Sequence, residues 1–197
     1  PQAGTVLLLR RKHTLSLAAL FGVVWAILSF CGCASSRFFR TATLTERSNP
    51  AVALSAIDRC LVFNPRNVWP MLCGARVALA QGDDPRAENY LKRAVALQPF
   101  IDTIFVNMGV IEWRRGNLPY AEANFRYALM LNPNKVEALY NLGLLHLSLG
   151  RKAHAEAALR RALALRPGSP EIQRALQKCR DADDMTREDP LHDEAFP

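Results

Sequence analysis

The sequence predicts an all-α protein, a solenoid of stacked helix pairs, and three observations carry that prediction. Pro65, Pro99, Pro133 and Pro167 stand 34 residues apart. Gly82, Gly116 and Gly150 keep the same interval, as do Ala87, Ala121 and Ala155, and Ala94, Ala128 and Ala162. Fixed-period self-similarity of this length marks a repeat architecture. Within each period, apolar residues recur three or four apart over about a dozen positions, drawing one buried stripe along a helix. A helix pair this small cannot bury its own apolar face, so neighbouring pairs must stack.

The punctuation inside each period is equally regular. The glycine ends the first helix, because glycine takes a left-handed backbone at little cost. Asp84 stands where it can cap the following helix, with Pro85 in its first turn, and Pro119 holds the equivalent place one period later. The alanines fall where two helices approach closely. The closing proline stops the second helix from running on.

These residues resemble the tetratricopeptide repeat, whose pattern runs W-x2-L-G-x2-Y, then A-x3-F, then A, then P. The second unit supplies Phe105, Met108, Gly109, Glu112, Gly116, Ala121, Phe125, Ala128 and Pro133. The third supplies Leu139, Leu142, Gly143, His146, Gly150, Ala155, Leu159, Ala162 and Pro167. The first is looser, with Met71, Gly74, Ala75, Ala78, Gly82, Ala87, Leu91, Ala94 and Pro99. Gly74-Ala75 stands where the pattern wants a large residue followed by glycine, so closer packing is expected in the other two units. The resemblance implies a tetratricopeptide-repeat α-solenoid of three clear repeats with a capping helix behind them.

The rest of the chain divides around that array. Arg10, Arg11 and Lys12 precede an uncharged run from Thr14 to Ser36 whose apolar core spans Leu15 to Cys33. About 20 apolar residues suffice to cross a bilayer as a helix, and this run shows no polar face. Residues 1–36 are therefore expected to be a signal or membrane-anchor segment. One reading is a bacterial lipoprotein signal: Ser29-Phe30-Cys31-Gly32-Cys33 resembles a lipobox, with Cys33 as the lipidated residue. It departs from the commonest form at Phe30 and Cys31, and its apolar stretch is longer than most signals use. The other is an uncleaved transmembrane helix with the N-terminus inside. Both put the repeats outside the cytoplasm, in a bacterial envelope. Residues 37–66 read as a degenerate repeat, because Ala53, Ile57 and Cys60 match Ala87, Leu91 and Ala94 and Asn49 can cap its second helix. Residues 67–182 form the array. Its last helix, Pro170 to Arg180, turns Ile172, Leu176 and Cys179 to one side, as a terminal cap requires. Residues 183–197 are acidic and poor in apolar side chains, and are expected to be a disordered tail.

Charge is distributed unevenly: residues 1–67 carry 8 basic and 2 acidic side chains, 68–180 carry 16 and 9, and 181–197 carry 1 and 7. A basic body is compatible with nucleic acid. No groove-reading motif or basic-aromatic stripe accompanies it, so nucleic-acid binding is not expected. The five cysteines, Cys31, Cys33, Cys60, Cys73 and Cys179, form no zinc spacing. Cys60 and Cys73 read as small hydrophobes, and a disulfide between them would need an oxidising compartment.

No catalytic constellation, metal set or phosphate loop is found, and no enzyme activity, cofactor or small-molecule substrate is expected. His146 occupies a packing position and reads as a core histidine. Glu112 needs a partner, for which Arg115 is in reach. The resemblance instead implies a concave surface lined by the first helix of each repeat, holding a peptide or helix of another protein. Its positions fall on Trp69, Leu72, Cys73 and Arg76; on Thr103, Val106, Asn107, Val110 and Trp113; and on Glu137, Tyr140, Asn141, Leu144 and Leu147. A basic clamp for a terminal carboxylate, as chaperone-binding members use, is absent: Leu72 and Glu137 stand where it needs cations. Trp69, Trp113 and Tyr140 are the expected anchors, flanked by amides. The expected function is a membrane-tethered scaffold resembling the small envelope lipoproteins that help assemble pili, secretins or cell-wall enzymes. The alternative is the membrane helix and repeat tail of a glycan polymerase or an O-antigen-ligase-like transferase.

Overall fold

A computed structural model of the chain describes the backbone of residues 34–187 and the side chains through Arg180. The apolar run from Leu15 to Cys33, with the lipidation candidate Cys33, lies outside the described residues, as does the stretch 188–197. Among the described residues there are helices and no strands, and no helix is long and apolar enough to cross a membrane. The helices are α1 (34–45), α2 (Pro50–Phe63), α3 (Val68–Ala80), α4 (Asp84–Leu97), α5 (Asp102–Arg114), α6 (Leu118–Leu131), α7 (Val136–Ser148), α8 (Lys152–Leu165) and α9 (Pro170–Arg187). They divide into two compact units, with the boundary between Gln81 and Gly82.

The first unit holds the degenerate repeat and α3. Helix α1 is helical from residue 34, the first described residue, to residue 45. Arg37 and Arg40 are both exposed, which is how a helix tolerates them at positions the repeat pattern fills with apolar residues. Inward, Ser35 and Ala42 are buried, and Phe38 stacks on Phe63 with ring centroids 5.8 Å apart. Asn49 caps α2 by accepting from the Val52 amide, and Asn67 caps α3 by accepting from that of Trp69. Helix α2 buries Ala53, Leu54, Ala56, Ile57, Cys60 and Leu61. Cys60 sits 3.1 Å from the Ser35 hydroxyl. Cys60 and Cys73 are both buried free thiols, so the conditional disulfide is not formed.

The second unit stacks six helices. Hairpins α5–α6 and α7–α8 pack tightly, α6 lies on α7, α8 on α9, and α4 on α5. Alternate helices also touch, α5 with α7 and α7 with α9, so these three form one layer while α6 and α8 form the layer behind. Two glycines set the hairpin spacing. A Cβ on Gly109 would stand 2.5 Å from the Phe125 ring, and one on Gly143 would stand 2.6 Å from Leu159. Phe125 and Leu159 are 0% exposed, and each fully buried side chain of this size contributes about 1.5–3 kcal/mol. The sequence period is thus a knob-and-hole contact repeated from one hairpin to the next.

The helix ends follow the expected chemistry with one correction. Gly82, Gly116 and Gly150 have φ of 76°, 80° and 69°, the left-handed turn that closes a helix. Pro119 lies in the first turn of α6. The cap of α4 is Asp83 rather than Asp84: its carboxylate accepts from the Arg86 amide at 3.1 Å. Asp84 is the first helical residue and pairs instead with Arg114 at 2.7 Å. At the other end, α9 runs to Arg187, five residues into the stretch expected to be disordered from 183. Its apolar side serves as a cap. Ile172, Ala175, Leu176 and Cys179 close one cluster with Leu139, Ala155, Leu159 and Ala162.

Candidate partner-binding groove

The expected binding positions fall in both units, and each set is described on its own unit. In the first unit, Trp69 projects outward with 68% of its surface exposed, while Leu72 is only 7% exposed. Leu72 is therefore a wall of the packing rather than a contact for a partner. Arg76 is exposed but engaged: its guanidinium forks onto the Glu46 carboxylate, with Nη2–Oε2 at 2.7 Å. Cys73 lies beside this pair, and burial, followed by the charge of Glu46, pushes its thiol pKa up, which disfavours the reactive thiolate. Of the expected positions on α3, Trp69 alone presents a free apolar surface.

The second unit brings the remaining positions together on the layer made by α5, α7 and α9. At its edge, Thr103 is tied into a polar network. Lys135 Nζ donates to the Thr103 hydroxyl at 2.8 Å and to Asp102 at 3.2 Å, and Asn132 donates to Asp102 at 2.7 Å. Burial pushes the Asp102 carboxyl up, but these hydrogen bonds and the Lys135 charge hold it below its ordinary range. Val106 is 5% exposed and packs with Ala128 and Ala138, so it too belongs to the core. Val110 and Trp113 are half-buried against Phe125, Leu142 and Leu145. The indole meets Phe125 edge-on, with centroids 6.5 Å apart. Trp113 therefore covers the neighbouring repeat as well as facing the layer's surface.

Asn107 is the unmatched polar group of this face: its amide nitrogen is buried and has no hydrogen-bond partner among the described residues. A buried donor without a partner costs about 1–3 kcal/mol, and its burial keeps it from a partner lying on the surface of the layer. Further along, Tyr140, Asn141 and Leu144 are half-buried on α7. Glu137 is exposed and accepts from Arg166 at 2.9 Å. Burial acts on Glu137 most strongly and upward, yet its own backbone amide and Arg166 leave it below the usual carboxylate value.

Two cavities flank Tyr140. One of about 160 Å³ is lined by Val136, Glu137, Tyr140, Arg166, Ser169, Glu171 and Ile172. The other, of about 180 Å³, is lined by Tyr140, Leu144, Glu171, Arg174, Ala175 and Lys178. Arg174 and Lys178 were missed by a reading that stopped at the third repeat. The signal was present, because they stand 34 residues after Tyr140 and Leu144. The capping helix thus adds a further row to the same face.

A larger cavity, about 270 Å³, opens elsewhere, among Glu88, Met108, Ile111, Glu112, Asn117, Tyr120 and Asn124. Glu112, which replaces the tyrosine of the repeat pattern, forms part of its wall. Its charges are already matched: Glu112 accepts from Arg115 at 3.4 Å and Asn117 at 2.7 Å. Glu88 pairs with Lys92 at 2.7 Å and Arg115 at 2.5 Å. A void with saturated carboxylates offers little specific recognition, so the α7/α9 cleft is the better candidate. His146 is buried at 4% exposure, 5.4 Å from the His154 ring. No cluster of three or more metal-ligating side chains suited to a metal ion occurs among the described residues.

A succession of helix hairpins with one layer of first helices open to solvent defines a repeat-solenoid interaction module. The family model described as "Tetratricopeptide repeat" matches residues 74–129 and, one register on, 106–170. This stretch, about half the chain, belongs to the tetratricopeptide-repeat family. No curated protein matches the sequence. Among solved structures, the chain is similar to a thermophilic TPR protein of Thermus thermophilus, with 26% identity and a TM-score of 0.67, covering 76% of this chain and 82% of that one. It is similar in fold to MamA protein, at 20% identity and a TM-score of 0.63, covering 80% and 86%. The first TPR of Spaghetti (RPAP3), bound to HSP90 peptide SRMEEVD, matches at 20% identity and a TM-score of 0.54, covering 59% and 93%. Proteins of this family are protein-interaction scaffolds, and the fold is generally a non-catalytic one.

Proposed function

We propose that the chain is a membrane-tethered, non-catalytic scaffold whose α5/α7/α9 face holds a peptide or helical segment of an envelope-assembly partner. The observation that carries this reading is the α7/α9 cleft. Tyr140 and Leu144 form its apolar wall, and Arg174 and Lys178 line it beside them. An aromatic anchor beside hydrogen-bonding groups suits an extended chain, whose carbonyls need donors every few ångströms. A protein of the same fold holding a seven-residue peptide supports the mode of binding. The tether rests on the sequence alone, on the apolar run Leu15 to Cys33 behind Arg10, Arg11 and Lys12. In this reading the repeats stand on the outer side of a bacterial membrane, in the periplasm if two membranes are present.

Two measurements test the proposal. A displayed random-peptide library is panned on the full chain in detergent, and the selected peptides are titrated against Tyr140→Ala and Asn141→Ala. Each substitution is expected to weaken binding about tenfold, the loss of one contact worth about 1.4 kcal/mol, with the melting temperature nearly unchanged. Peptides that bind equally well to both variants would remove this face from the function. Mass spectrometry of the membrane-extracted protein decides the tether: a diacylglycerol on Cys33 identifies a lipid anchor, an intact run through Leu15 a transmembrane helix, and recovery without detergent ends the tethering proposal.

A further inference from the structure

The second helices of the array, α6 and α8 with α4 one period before them, carry a pattern of their own. In each, a cation stands one helical turn before an exposed apolar side chain: Arg93 before Leu97, Arg126 before Met130, and Arg161 before Leu165. Phe100, in the turn after α4, extends the apolar row, and it and Met130 are each 76% exposed. The stretches 89–100, 123–134 and 157–168 hold Lys92, Arg93, Arg126, Arg160, Arg161 and Arg166, and no Asp or Glu. Nearer the helix starts, Glu88, Glu122 and Glu156 are held by Lys92 at 2.7 Å, Arg126 at 2.7 Å and Arg160 at 2.8 Å. Arg161 donates to the Pro133 carbonyl at 3.3 Å. Neither it nor Arg93 pairs with a described carboxylate, and every side chain of the three helices is described.

The edge where these helices end thus has a cationic band and, beyond it, an apolar band. One helical turn rises about 5.4 Å, which is the spacing between the two bands. The same step separates lipid phosphates from the acyl boundary, into which interfacial side chains reach about 5–10 Å. Asp102, Glu137 and Glu171 lie in the first turns of α5, α7 and α9, at the same end of the hairpins. Each is already engaged, by Lys135, Arg166 and the Ser169 hydroxyl. A second copy docked here would set cations against cations. A nucleic acid would use the cations and leave Met130, Phe100 and Leu165 without a role. A protein partner anchors in a buried centre, whereas these side chains stand in a row, one or two to a period.

We propose that this edge of α4, α6 and α8 rests on the surface of an anionic lipid bilayer. Arg93, Arg126 and Arg161 meet the headgroup phosphates, and Leu97, Phe100, Met130 and Leu165 enter the acyl boundary. Attraction between exposed cations and an anionic leaflet acts within a Debye length, about 8 Å at physiological salt, so contact requires the edge itself to lie on the membrane. The α5/α7/α9 layer belongs to the other helices of the hairpins and stays clear for a partner. The inference depends on neither the α7/α9 cleft nor the tether, which would only keep the array near the surface it recognises.

The test uses the full chain in lipid nanodiscs, with Met130 replaced by a fluorescent amino acid and shallow nitroxide-labelled lipid as the quencher. Quenching is expected to be several-fold stronger in phosphatidylglycerol discs than in phosphatidylcholine discs. The same fluorophore in place of Arg174, in the α5/α7/α9 layer, should stay unquenched in both. Arg93→Glu with Arg161→Glu, and separately 1 M NaCl, are each expected to return the Met130 signal to its phosphatidylcholine level. Both arginines are exposed, so the double variant should melt with the native chain, and the salt and lipid arms decide the matter if it does not. Equal quenching in the two lipids, indifferent to salt, would overturn the proposal. So would shielding of the fluorophore that grows with protein concentration in lipid-free detergent, which would assign the edge to a second copy. Failure of the tether is separable: a chain recovered without detergent is mixed with vesicles of the same two compositions, and phosphatidylglycerol-dependent quenching there upholds the edge alone.

Discussion

At Gly109 a single added carbon decides between two opposing effects. Alanine gains up to about 1 kcal/mol of helix propensity over glycine. Here its Cβ would stand 2.5 Å from the fully buried Phe125 ring, and overpacking a core costs about 1–3 kcal/mol. Gly109→Ala is therefore expected to lower stability by about 1–2 kcal/mol in urea titration. Adding Phe125→Leu should recover part of that loss, and a double-mutant cycle with no coupling would refute the contact. His146 gives a second residue-level prediction. Burial lowers its pKa from the ordinary value, and His154, Arg151 and Arg126 add to that effect while Glu122 opposes it. The unfolded chain takes up this proton near about pH 6.5, the folded chain only at lower pH. Through that window the unfolded state binds more protons, so stability present above about pH 6.5 is lost as the pH falls. Melting temperatures should decline as the pH is lowered through that window for the native chain and level out for His146→Phe. Trp113→Ala is expected to weaken the fold as well as the groove, because the indole packs on Phe125.

Helix ends separate two neighbouring aspartates that look interchangeable in the sequence. Asp83 satisfies an orphan amide of α4, so Asp83→Ala should cost about 1 kcal/mol at any salt concentration. Asp84 makes an ion pair with Arg114 in which the arginine and aspartate side chains are 43% and 21% exposed. Such a pair contributes less than about 1 kcal/mol, and the effect of Asp84→Ala should fade in 1 M salt. Equal, salt-independent losses would reverse the assignment. Gly116 adds the contrasting case to Gly109. Nothing lies within 4 Å of a Cβ there, but the backbone sits at φ +80°, so Gly116→Ala is expected to cost about 1 kcal/mol through strain alone.

The stack needs its last helix. Without α9, Leu139 and Leu159 would lose the cover given by Ile172, Ala175 and Leu176. A solenoid ending on a bare apolar face associates with itself. A chain ended after Gly168 is expected to elute as higher oligomers in size-exclusion chromatography and to melt well below the native protein. A monomer of unchanged stability would show that α9 is an accessory. The same helix carries Arg174 and Lys178, so the cap of the fold is also a wall of the candidate site.

Much of the architecture was legible because a 34-residue period leaves each structural choice in several copies. The left-handed glycines, the first-turn prolines, the Gly109 and Gly143 notches and the apolar face of α9 are all local or periodic features. Backbone sterics and helical geometry fix them before any distant contact forms. The cap fell on Asp83 instead of Asp84 because capping depends on where the first helical hydrogen bond closes, a matter of one residue. The sequence by itself thus determined the kind of fold and the pairing of helices. Tertiary structure alone decided which of the expected groove positions stay exposed. Leu72 and Val106 are absorbed by packing, and Arg76 is held by Glu46, 30 positions earlier in the sequence. Arg174 and Lys178 are exposed and line the cleft beside Tyr140 and Leu144. Availability depends on what lies across the gap, and that is set by the stacking of helices far apart in the chain.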